Sequence, residues 1–302
     1  MNDLKIRIAS DDDRLKRHIN HDARSAFFRK DVSGLAVADV EWTCHLLNVL
    51  DQGDVGSCTA ETADEILASD PYFTTLDDAT RMAVSEGTQD WPLAFYHDET
   101  LADTYPGTYP PVDTGSDGLT MAKVLTARGL ISGYQHTFTA DDALKGLATG
   151  PAAWGTNWKS GMDDVDTTTG QVKYTGATRG GHELSLYKIE AAAGKLWFRN
   201  HWGSWGYRGT GVAWISFDDF AKSLKDQGDV TWLTPLTQPA PVPTPPPTPV
   251  PVPTPPTPPG PGINDVVALA AGTAKWRASV LYSGTSQARK AVNTFLSKYP
   301  VR

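Results

Sequence analysis

The stretch Asp51-Gln52-Gly53-Asp54-Val55-Gly56-Ser57-Cys58-Thr59-Ala60 delivers a thiol on a glycine-rich turn to the start of an apolar-periodic run. At a helix N-terminus the unpaired amides and the macrodipole favour a thiolate, so Cys58 has the placement of a nucleophile. Gln52, six residues upstream, can aim its carboxamide N–H where a carbonyl oxygen acquires charge, beside the backbone N–H of Cys58. A thiolate that attacks an amide needs a proton donor for the leaving amine, and His182, in Gly180-Gly181-His182-Glu183-Leu184, is the histidine set in a glycine turn that opens a strand. The Gly181 turn lets a polypeptide backbone approach closely. In Arg199-Asn200-His201-Trp202-Gly203-Ser204-Trp205-Gly206, Asn200 follows a strand and can orient the His182 imidazole, with Trp202 shielding that bond from water.

Positioning these groups takes helices early and strands late. Apolar residues share a helical face over Thr59 to Ser69 and over Leu119 to Arg128, which Gly129 closes. Strand-like alternation covers Val172 to Tyr174, Glu183 to Ile189, Lys195 to Arg199 and Val212 to Phe217. That order predicts an α+β fold, a helical half packed on a sheet half.

Three motifs, QGDVGSC, GGH and RNHWGSWG, together resemble the papain family of cysteine peptidases. The spacings are 182 − 58 = 124 and 200 − 58 = 142, close to the separation of nucleophile, histidine and asparagine in that family. The resemblance covers about residues 45 to 220. It implies a papain-like two-lobed fold, a helical lobe and an antiparallel β-barrel-like lobe, with the cleft between them. It further implies Cys58 as nucleophile, His182 as general base and acid, Asn200 as orienter, and Gln52 with the Cys58 N–H as oxyanion hole. Gly115 and Ser116, in Asp113 to Gly118, resemble the edge where the family pairs an extended substrate backbone; Gly181 and Trp202 complete the expected groove. Thr59 in place of an aromatic residue, Val55 in place of a bridging cysteine, HDARS at 21 to 25 and LDQG before the turn point to a bacterial or phage-type branch. Glu183 after the histidine and the short asparagine-tryptophan turn depart from the family pattern. Nothing in the 57 residues before Cys58 resembles an inhibitory propeptide, and most of them are expected to pack on the domain.

The chain has 302 residues, 40% of them hydrophobic, and a formal charge of −8, which excludes a broad cationic face for nucleic acid. With only Cys44 and Cys58, no disulfide framework is possible, and Cys44 reads as a small buried hydrophobe. Of 22 prolines, 15 lie between Pro235 and Pro261. That composition predicts a polyproline II spacer, able to hold its flanks about 70 Å apart at roughly 3.1 Å per residue. The domain organisation is therefore a peptidase domain over 1–234 with an N-terminal extension over 1–44, a linker over 235–262 and a basic helical tail over 263–302. The tail carries six bases and one acid, 6 − 1 = +5, leaving −13 on residues 1–262. An anionic surface or a partner protein is the expected target of such a tail.

No apolar stretch suits a signal peptide or a membrane span, which favours a cytoplasmic or virion-associated protein. The other histidines lack ligand spacing, so neither a metal nor a cofactor is expected, and His201 reads as a packing or surface residue. Trp91, Trp154, Trp158, Trp197 and Trp214 are expected in the core, with cleft lining the alternative for Trp154. Asp11 to Asp13 and Asp163-Asp164 are expected as solvated loop charges. The predicted function is a cysteine peptidase acting on peptide or isopeptide bonds through a Cys58 thioester. The alternatives are a phage or bacterial cell-wall peptide hydrolase, and a catalytically silent structural or binding protein of a virion.

Overall fold

A computed structural model describes residues 4–6 and 10–237 of the protein. The basic tail and nearly all of the proline-rich linker lie outside the described residues. In chain order the strands are β1 (Leu4–Ile6), β2 (Ile19–His21), β3 (Val40–Glu41), β4 (Gly133–Thr137), β5 (Ala152–Lys159), β6 (Thr178–Glu190), β7 (Lys195–Arg199), β8 (Val212–Ser216) and β9 (Asp229–Thr234). The helices are α1 (Cys58–Leu67), α2 (Asp78–Ser85), α3 (Asp90–Ala102), α4 (Gly118–Ala127), α5 (Ala140–Gly146) and α6 (Phe217–Lys225). One sheet runs β4-β9-β5-β6-β7-β8, with β3 also on β6, and every pairing is antiparallel. β1 and β2 pair separately.

Two large apolar cores divide the work, beside a small cluster of Tyr187, Trp197 and Val212. Ile66, Leu67, Phe95, Met121 and Leu125 gather α1, α3 and α4 into a helical core. Trp154, Phe198, Ile215, Phe220 and Trp232 fill a core built on the sheet. This is the α+β arrangement expected from helices early and strands late. α1 is the shared element: it packs on α3 on one side and on β6 on the other, so all ten of its residues are buried. α4 starts where Asp117 accepts from the Thr120 amide at 2.8 Å, an N-cap that fixes the loop Asp113 to Asp117 ahead of it.

Some expectations are corrected. Val172 to Tyr174 forms no strand; Val172 and Tyr174 turn inward from a loop held by the Gln171–Trp214 bridge. β5 was not foreseen, because a strand buried on both faces has no polar alternation to read. Trp154 on β5 belongs to the core, edge-on to Phe198 and Phe220.

Candidate active site

The turn from Asp51 to Ser57 leads into α1 with Cys58 as its first residue, as the sequence predicts. Ser57 donates to the Glu61 carboxylate at 3.1 Å across the first helical turn. β6, which carries Gly181, His182 and Glu183, packs against that helix.

His182 Nε2 lies 2.9 Å from Asn200 Oδ1. The same Oδ1 accepts the His201 backbone N–H at 3.0 Å, which identifies it as the oxygen. Nε2 must therefore carry the proton and donate, leaving Nδ1 as the lone-pair nitrogen; among the described residues Nδ1 has no hydrogen-bond partner. The imidazole is walled by aromatic rings, with Trp158 at 5.2 Å and Trp202 at 5.0 Å between centroids. His201, at 5.0 Å from it, is fully buried and packs beside Glu65, in line with the packing role.

Gln52 is pinned by Trp202. The indole N–H can only donate, and it does so to Gln52 Oε1 at 2.9 Å. Gln52 Nε2 therefore faces the crevice, donating to Val55 O at 2.6 Å and to Arg14 O at 3.3 Å.

Arg14 is the unexpected member. The chain ahead of the catalytic-type turn does pack on the domain, yet residues 14 to 18 do so inside the cleft. Arg17 N–H donates to Gly181 O at 3.0 Å and His18 N–H to Ser116 O at 2.8 Å. The Arg14 guanidinium stacks over Trp202 at 4.2 Å. Gly115, at φ +71°, has Lys16 backbone packed where a side chain would stand, so only glycine fits. Gly115, Ser116, Gly181 and Trp202, the four residues assigned to a groove, are all brought together, and the chain's own N-terminal segment lies along them.

Ion pairs fasten this segment. Lys16 reaches Asp13 at 2.8 Å and Asp113 at 2.9 Å, and Arg179 reaches Asp163 at 2.8 Å and Asp12 at 3.5 Å. Asp12 also takes Arg14 at 2.7 Å. Asp12 and Asp163 are thus clasps and not the free loop charges expected. Arg17 is 0% exposed; its guanidinium pairs with Glu183 at 3.3 Å and with Asp229.

The consequence is a dry site. Cys58 and His182 are both 0% exposed, where an open crevice was expected. Burial pushes the Cys58 thiol up, and the nearby Glu183 and Glu99 carboxylates add to that. Burial likewise pulls the His182 imidazole well down, with His201 and Arg14 adding to it against the Asn200 bond. In this closed form the sulfur and the imidazole are both neutral.

The sequence reading missed the segment because its residues, Asp11 to His18, carry no periodicity and its partners are distant in the chain. The one available signal was Glu183 and Asp229 themselves, acids destined for a sheet interior and in need of a cation.

Among solved structures the chain resembles xylellain, a cysteine protease from Xylella fastidiosa: identity is 16%, 78% of this chain and 100% of that chain are covered, and the TM-score is 0.54. A recombinant stem bromelain precursor overlays more loosely, at 11% identity, 72% and 74% coverage and a TM-score of 0.42. No protein-family model and no curated protein matches the chain. At this identity the likeness is one of fold: the mixed helix and antiparallel sheet architecture is papain-like.

Proposed function

We propose that the chain is a cysteine-type peptidase in which Cys58 is the nucleophile, His182 the acid and base, Asn200 its orienter and Gln52 an oxyanion donor. The observation that carries this reading is the oriented His182–Asn200 pair at 2.9 Å, with Nδ1 unpartnered, on the strand β6 that packs against the helix Cys58 opens. A proton passes from the Cys58 thiol to His182 Nδ1, and the thiolate forms an S–C bond with the substrate carbonyl. The carbonyl oxygen, now negative, is held by Gln52 Nε2 and the Cys58 N–H. The C–N bond breaks as Nδ1 returns its proton to the leaving amine, leaving a thioester. Water gives a proton to the same nitrogen, its oxygen bonds to the acyl carbon, and the S–C bond breaks as Nδ1 passes that proton to the sulfur, which releases the acid and restores the thiol.

Substrate must first displace residues 14 to 18. Once water and substrate polar groups enter, the desolvation that keeps both groups neutral relaxes, and the ion pair becomes accessible.

Complete burial of Cys58 favours a second reading, a silent scaffold whose groove permanently holds its own N-terminus. A peptide-library digest decides between the two. Cleavage that is lost in Cys58→Ala supports the peptidase; a library untouched by the wild type and by the Arg17→Ala chain, with Cys58 unlabelled by iodoacetamide in both, establishes the scaffold.

A further inference from the structure

The pocket that receives Arg17 is built for a guanidinium and borders the crevice directly. Glu183, fully buried, follows His182 on β6, and Asp229 opens β9 on the neighbouring side. Between them Gly155 of β5 leaves room: a side chain there would collide with Arg17 Cζ at 2.5 Å. Arg17 lies within electrostatic reach of Cys58, and its backbone N–H is held by Gly181, next to His182. Burial pushes the Glu183 carboxyl up, with Asp229 adding to it. At Asp229 burial works upward too, but Arg17 and the His21 bond at 3.2 Å more than offset it and keep that carboxylate ionised.

Beyond the Arg17 Nε–Glu183 ion pair at 3.3 Å, the hydrogen-bonding capacity there is underused in the closed form: both Glu183 oxygens, Asp229 Oδ1, and Arg17 Nε and Nη1 lack hydrogen bonds among the described residues. When the segment leaves, the Asp229 carboxylate loses the Arg17 guanidinium and keeps only the His21 bond. A neutral or acidic side chain entering the pocket would leave that partly buried charge without a guanidinium beside it, whereas a basic one restores the pair. The planar fork of arginine fits two carboxyl groups flanking a slot better than a lysine point charge does.

We propose that Glu183, Asp229 and Gly155 form a specificity pocket that selects polypeptides with arginine close to the scissile bond, and that Arg17 is a resident stand-in for that substrate side chain. This rests on the peptidase reading of Cys58, so the test separates the two. The full chain is treated with peptidyl fluoromethyl ketones identical except for Arg, Leu or Glu at the first or second residue from the reactive carbon. Labelling of Cys58 is followed by mass spectrometry.

At one of the two positions Arg is expected to react at least 10-fold faster than Leu, and Glu slowest. In Asp229→Asn and Glu183→Gln the Arg advantage should fall below 3-fold. An Arg advantage under 10-fold at both positions in the wild type, or one undiminished in both variants, overturns the pocket and leaves it a socket for Arg17 alone. A second measurement does not depend on those variants folding: in the Arg17→Ala full chain, an arginine tetrapeptide should slow iodoacetamide labelling of Cys58 at least 10-fold more than its leucine counterpart. Equal protection also overturns the proposal. Iodoacetamide alone reports on the underlying reading: if it leaves Cys58 unlabelled in the Arg17→Ala chain, the nucleophile assignment fails, and the pocket proposal with it.

Discussion

The side chains with the clearest chemistry are fixed by atoms that can play only one part. An indole N–H can only donate, so Trp202 sets the Gln52 carboxamide; a backbone N–H can only donate, so His201 sets that of Asn200. The sequence placed Gln52 and Asn200 by their distance from Cys58 and His182, but the Trp202 bond to Gln52 and the His201 amide bond to Asn200 needed coordinates. Two losses follow. Gln52→Ala removes the donor aimed at the position now held by Arg14 O, and kcat should fall by about 10²- to 10³-fold with KM little changed. Asn200→Ala frees the imidazole to turn, with an expected loss of about 100-fold. Single-turnover acylation on a peptide found by the library digest measures both, and a drop of under 10-fold in either would remove that residue from its assigned role.

At the scale of elements, α1 is a helix whose acids point into the protein. Glu61 is fully buried, takes Ser57 Oγ at 3.1 Å and Gln89 Nε2 at 3.3 Å, and burial pushes its carboxyl up to about 8. Asp64, with neither oxygen hydrogen-bonded, is pushed well above the carboxylate range by burial and by Glu61 and Glu65. The periodic Ala60, Ala63, Ile66 and Leu67 made the helix legible, whereas burial of its acids depends on β6 and α3 closing over the other faces. A carboxyl protonated in the folded state and ionised in the unfolded one binds more protons when folded. Its contribution is therefore fully present below the unfolded value near 4.5 and is lost as pH rises toward 8. Glu61→Gln keeps the Ser57 acceptor, and Gln89 Oε1, unpartnered now, can turn to meet the new amide. The variant should match the wild type near pH 4.5 and gain on it by up to about 1.4 kcal/mol per pH unit toward pH 8. Thermal unfolding across that range checks this, and parallel curves would show that Glu61 is ionised in the folded protein.

Across the whole molecule the cleft is held shut by a tether. Arg17 and Asp229 are 212 positions apart, Lys16 and Asp113 97, and no local rule of sequence connects such pairs, so the His182–Asn200 pair and the helix that Cys58 opens were legible and their cover was not. Because residues 14 to 18 are joined to the domain through β2 and the chain that follows, on the peptidase reading they would compete with substrate as an intramolecular ligand, at an effective concentration on the order of millimolar. Their hold comes from geometry plus that tether, since exposed ion pairs such as Lys16–Asp13 add little in water. Cutting the chain between the exposed Phe28 and β3, at a protease site introduced within residues 31 to 36, turns the cover into a separate peptide. At about 1 μM protein its competing concentration falls by roughly 10³-fold, and iodoacetamide labelling of Cys58 should rise by at least about 100-fold over the uncut chain. A fully cut protein in which Cys58 stays as slow as before would mean that the two lobes themselves close over the sulfur, and that displacing the segment opens nothing.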